Sequence, residues 1–176
     1  MDVETPSREA AIGIIRDARA RLDELIEGLS DSQIEAKGTL GGGDWSVKDL
    51  IGHLASWEQR SLPWLQSADA SDPRSFPPTD EFNAEEVERR RSWALHEVRE
   101  EALRVHQQLV ESIEGLDDEA WLADVPVPNR DPHPRGFVVG KILGGDEYGL
   151  FAHDLAHLKD VEKYVRDRRT ELGDDD

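Results

Sequence analysis

The residues best suited to chemistry are three histidines. His153-Asp154-Leu155-Ala156-His157 places two imidazoles four residues apart. On a helix that spacing puts both on one face, within reach of one cation. A zinc-peptidase motif would carry Glu directly after the first histidine, and here the residue is Asp154. The pair alone also fits a solvated helix face. His53 lies in Leu50-Ile51-Gly52-His53-Leu54-Ala55-Ser56-Trp57, on or beside an apolar stripe. Alone, it fits an inward histidine bonded to a backbone carbonyl. Taken together, three imidazole ligands with an open coordination position describe a catalytic metal site, whereas a structural site is closed by a fourth protein ligand. The chain has no cysteine, so a metal must be held by His, Asp or Glu. A protein thiol nucleophile is excluded, and any thiol chemistry must use a thiol carried by a small molecule.

The neighbours of these histidines extend the reading. If His153 belongs to a long helix, Gly149 lies one turn before it on the same face, either leaving room for substrate or allowing close helix packing. Asp146 falls two turns before it, as a candidate acid/base group, an outer acceptor, a fourth metal ligand or a plain surface carboxylate. Glu58 could orient a histidine N–H, as metal-bound imidazoles commonly require. Trp57 and Trp64 pack the core or wall the pocket, and Trp45 precedes a helix start as a hydrophobic staple. His96 and His106 read as surface residues. His133, between Arg130 and Arg135, sits in a proline-rich loop that is either solvated or closes over the pocket.

Positioning these residues requires helices. Ala11, Ile14, Ile15, Ala18, Leu22, Leu25 and Ile26 follow helical spacing in a first helix over 6–28, with Thr5 as cap and Pro6 at its first position. After a glycine-rich loop over 38–43, Ser46-Val47-Lys48-Asp49 is a capping-box pattern. It starts a second helix that runs to about 67 and is bent at Pro63. Residues 68–82 form a long connection. A third helix runs from Asn83 to about Glu114. Residues 115–137, with prolines at 126, 128, 132 and 134, are irregular. A fourth helix covers about 138–168. No strand-like alternation survives, so the expected fold is all-α, a four-helix bundle in one domain spanning 1–176.

Charge narrows the partners. Asp and Glu outnumber Lys and Arg, for a net charge of −18, which disfavours nucleic-acid backbones and anionic lipid. No apolar run approaches the ~20 residues of a membrane span, and the acidic N-terminus lacks a signal-peptide pattern. A cytoplasmic protein acting on a small molecule is expected.

The stretch Trp45 to Glu58, the Phe82-Asn83-Ala84 start and the terminal HxxxH pair together resemble the DinB-like (DinB/YfiT) superfamily, in the right order and over roughly 7–165. The resemblance implies an up-down-down-up four-helix bundle with metal ligands at His53, His153 and His157. It implies nickel, zinc or manganese, and thiol S-transfer with bacillithiol, mycothiol or glutathione in several members. Homodimers are common in the family, and the five tryptophans offer interface anchors. Three function classes remain: a metal-dependent transferase or hydrolase acting on a small electrophile; a ClbS-like protein that sequesters a toxic molecule without turnover; and a bundle with a vestigial metal site.

Overall fold

The computed structural model describes residues 4–40, 43–66, 79–128, 130–144 and 148–173. The first helix, α1 (Arg8–Ile26), starts later than expected. Its cap is Ser7, whose hydroxyl accepts from the Ala10 N–H at 3.2 Å. A five-residue helix follows, α2 (Asp31–Glu35), with a Ser30/Gln33 capping box. α3 (Val47–Gln66) begins as its sequence dictates. The Asp49 N–H donates to the Ser46 hydroxyl at 3.1 Å, and the Ser46 N–H donates to the Asp49 carboxylate at 2.8 Å. Each side chain satisfies a helix-end N–H that has no intrahelical partner. Pro63 lies inside α3.

Two of the long helices expected from periodicity are broken. The stretch read as one helix from Asn83 to Glu114 is α4 (Thr79–Arg89) and α5 (Leu95–Glu114). Arg90 turns inward at the break and is 4% exposed. Its guanidinium donates to Glu101, to the Ser56 hydroxyl at 2.7 Å and to Glu86 at 2.9 Å. Burying that charge demands partners on α3 and α5, and the chain bends to reach them. α5 then restarts with the Glu97 carboxylate accepting from the Ala94 N–H at 2.6 Å.

The region expected to be irregular contains α6 (Asp118–Leu122), capped by Asp117, and a two-stranded antiparallel ribbon. Its strands are β1 (Asp124–Val127) and β2 (Arg130–Pro134), paired Asp124↔Pro134, Val125↔His133 and Val127↔Arg130. The absence of strands inferred from sequence is therefore corrected. Both strands are edges, where a proline without an N–H is tolerated.

The expected fourth helix is α7 (Arg135–Ile142) and α8 (His153–Gly173). Between them Gly149 has φ 88° and Phe151 has φ 62°, left-handed values that end helical continuation. The turn is held by Phe151 N–H to the Gly140 carbonyl at 3.0 Å and His153 N–H to the Leu143 carbonyl at 2.8 Å.

The fold is predominantly helical, a bundle built on the four long helices α1, α3, α5 and α8. α3 packs chiefly on α5, and α1 chiefly on α8. One core cluster centres on Ile15, Trp64, Leu109, Trp121, Val139 and Phe151, and the other on Leu22, Val47, Leu50, Leu54, Val98 and Val161. Among the described residues, no helix is long and apolar enough to cross a membrane.

Candidate metal centre

His53 comes from the interior of α3. Leu50 and Leu54, 1% and 0% exposed, bury the same helix around it, and His53 is itself 4% exposed. Its ring lies 4.8 Å from Trp45 and 6.4 Å from Trp57, centre to centre. His153 is the first residue of α8, and His157 follows one turn later. The three rings converge through the same atom. His53 Nε2 is 3.0 Å from His153 Nε2, which is 3.3 Å from His157 Nε2.

Two nitrogens bound at ~2.1 Å to a tetrahedral zinc lie roughly 3.4 Å apart. The three donor atoms all lie within 4.8 Å of one another, so this donor set fits one divalent ion with small adjustments. Among the described residues, it is the one group of His, Asp or Glu that satisfies this criterion.

The electrostatics suit the same role. Burial, then the neighbouring His153, His157 and Arg90, push the His53 pKa down to about 2. Burial and His157 lower His153 to about 4, against an opposing pull from Asp154. Burial lowers His157 as well, partly opposed by Asp154 and Asp160. All three rings are therefore neutral near pH 7, the form that ligates a cation. With three neutral imidazoles turned Nε2 to Nε2, their protons cannot satisfy every lone pair, and a cation can.

The other expected residues fall differently. Trp57 does flank the centre, its ring 5.8 Å from that of His153. Its Nε1–H donates to Asn83 Oδ1 at 3.1 Å, and Phe82 meets it edge-on at 5.1 Å. Glu58 does not reach the triad histidines. Its Oε1 accepts from Arg19 at 3.1 Å and pairs with His106 Nδ1 at 2.8 Å. His106, read as a surface residue, is thus half-buried against Glu58, whereas His96 is exposed. Gly149 does not lie in a helix. It is an exposed turn glycine with open space where a side chain would be. Asp146 lies outside the described residues, and the continuous helix that had placed it beside His153 is absent. The ribbon carrying His133 packs on α7, and the His133 ring faces Phe137 at 4.9 Å.

Sequence reasoning missed Arg19. Its Nε donates to Asp154 Oδ2 at 3.0 Å, while its Nη2 holds Glu58. The available signal was a charged residue inserted among Ile15, Ala18 and Leu22, the buried stripe of α1.

The DinB superfamily model matches residues 14–144, a span that contains His53 and ends before His153. No curated protein sequence matches the chain. Among solved structures, an uncharacterised protein from Escherichia coli UTI89 superposes with TM-score 0.75 at 15% identity, over 96% of this chain and 98% of that one. YfiT from Bacillus subtilis, described as a probable metal-dependent hydrolase with an unusual four-helix bundle topology, gives 0.64 at 16% identity, over 92% and 87%. A mycothiol-dependent maleylpyruvate isomerase gives 0.67 at 13% identity, over 89% of this chain but 61% of that one. At such identities the likeness is one of fold.

Proposed function

The chain belongs to the DinB superfamily, and from that premise we propose that it is a divalent-metal-dependent enzyme acting on a small electrophile, by thiol S-transfer or by hydrolysis. The observation that carries this reading is the convergence of three Nε2 atoms, from His53, His153 and His157, on one point. The hydrolase and isomerase among the structural relatives make such chemistry compatible with the fold.

In this reading the three histidines hold nickel, zinc or manganese. A divalent ion supplies Lewis acidity, favouring the anionic form of a coordinating thiol or water. The chain's own residues prepare the place. Burial keeps the three imidazoles neutral, and Trp45 and Trp57 shield the rings. Trp57, whose ring lies 5.8 Å from that of His153, flanks the bound substrate. With no cysteine in the chain, bacillithiol, mycothiol or glutathione brings the thiol. We further propose one functional domain over 1–176, a cytoplasmic location and a homodimer, for which sedimentation at high micromolar concentration is the check. Partners are small molecules, and the charge of −18 opposes nucleic acid.

The test begins with metal analysis of untagged protein. Wild type and His53→Ala are then compared, each with and without added metal, on a panel of thiols and electrophiles. Metal-dependent turnover is expected in the wild type and is lost in His53→Ala, which stays folded because apolar stripes hold the bundle. Equal rates in all four conditions would end the metalloenzyme reading and favour ligand sequestration without turnover.

A further inference from the structure

The two halves of the histidine site stand on helices that scarcely touch each other directly. α3 packs mainly on α5, and α8 mainly on α1. Yet His53 and His153 must keep their Nε2 atoms about one coordination sphere apart. His153 is also the first residue of its helix, an end prone to fraying, and the bond of its own N–H to the Leu143 carbonyl at 2.8 Å ties it to the end of α7 and not directly to α3. Something must set the spacing between the start of α8 and the middle of α3.

Arg19 of α1 spans that gap. Its Nε holds Asp154, the residue next to His153, and its Nη2 holds Glu58, five residues beyond His53. Glu58 and Asp154 are 3% and 9% exposed, and the Arg19 side chain is 12% exposed. His106 of α5 completes the layer through Glu58 Oε1, so each of the four long helices contributes one residue. A planar fork of fixed N–H directions suits this task better than a flexible ammonium. The layer is not arranged for greatest pairing energy. One Glu58 oxygen takes both Arg19 and His106, while the buried Oε2 has no partner among the described residues. A bidentate pair would have used both oxygens. The geometry favours a fixed span between two helices over the strongest ion pair.

We propose that Arg19 is the positioning residue of the histidine site, tying Asp154 at the start of α8 to Glu58 in α3 and so setting the separation of His153 from His53. The proposal rests on the reading of the three histidines as a metal site. Outer residues that orient metal ligands typically contribute about 10–100-fold in affinity, and Arg19 is expected to fall in that range.

The probe is cobalt(II), titrated into the full chain against a competing chelator and followed by its visible absorption. Arg19→Met is expected to bind cobalt about 10–100-fold more weakly, with an altered band envelope. Asp154→Ala cuts only the α8 arm and leaves Arg19 on Glu58. It should shift affinity and spectrum in the same direction, and it serves as the test if Arg19→Met does not fold. A folded variant of either kind with wild-type affinity and spectrum would overturn the proposal, even at a lowered melting temperature, because a merely structural role moves only the latter. If the wild type takes up no cobalt, the metal reading itself has failed. The positioning claim is then decided on the metal-free protein, by magnetic-resonance cross-peaks between the His53 and His153 rings. Their loss in Arg19→Met sustains the claim, and their persistence defeats it.

Discussion

α3 and α8 bring histidines to the same point from opposite kinds of local structure. His53 sits deep in a regular helix whose start is sealed by the reciprocal Ser46 and Asp49 bonds. His153 opens its helix directly after a turn that places Gly149 and Phe151 at positive φ. The first ligand is positioned by short-range rules. The second depends on tertiary contacts: the Leu143 carbonyl on its own N–H, the Arg19 bridge on Asp154, and the Phe151 ring stacked 6.0 Å from Trp121. A site of this kind has one fixed wall and one adjustable wall, and the adjustable one should be the more sensitive to distant substitutions.

The largest effect that would test this contrast lies on the α8 side. Phe151 is 2% exposed, and truncating a buried phenylalanine typically costs about 3–5 kcal/mol. Phe151→Ala should lose that much in denaturant unfolding and weaken metal uptake as well. A cost below about 1 kcal/mol, well under the usual range for such a truncation, would show that the approach to α8 does not rest on this ring. Gly149→Ala meets no atom within 4 Å, so its cost is conformational, about 1–2 kcal/mol for a left-handed residue. Denaturation curves should show that loss, and Gly149→Asn, which tolerates this region better, should recover part of it.

On the α3 side the effects should be smaller and should spare the site. Ser46→Ala removes a helix cap, a change worth about 1 kcal/mol. Cobalt affinity is expected to stay at the wild-type value. If the affinity falls as far as in Arg19→Met, the two walls are equally delicate and the contrast is void. Acid should act on the same cap. Burial tends to raise the Asp49 carboxyl, but hydrogen bonds from Lys37 and from the Ser46 N–H and hydroxyl outweigh it and hold the pKa below 3.8. A folded value below the unfolded one means that Asp49 contributes its stability fully above pH 3.8 and loses it as pH falls through the lower folded pKa. Unfolding curves between pH 6 and pH 3 should therefore show a shallower acid loss in Asp49→Asn than in wild type. Identical slopes would remove the carboxylate from the cap.

How far each feature could be read from the chain follows the same division. The α3 start was legible because a capping box lies within four consecutive residues, Ser46 to Asp49. The four long helices were legible because their apolar spacing repeats over several turns, as in Ala11, Ile15, Ala18 and Leu22. The three histidines stood out by type and spacing, and no cysteine competed for a metal. Breaks inside those helices were not legible. Arg90 looks like one more surface charge in Arg89-Arg90-Arg91 until Ser56, Glu86 and Glu101 surround it. The 124–134 ribbon was hidden because prolines mask the alternation of edge strands.

By itself, then, the sequence determined the helical class, the superfamily, the α3 start and the identity of the three candidate ligands, since all of these rest on periodicity, local capping and residue chemistry. Only the tertiary structure decided that Gly149 belongs to a turn, that Glu58 answers Arg19 and His106 instead of a triad histidine, and that the three Nε2 atoms meet. Those facts depend on side chains far apart in sequence, such as Arg19 and Asp154, whose mutual desolvation and pairing exist only once the helices are packed.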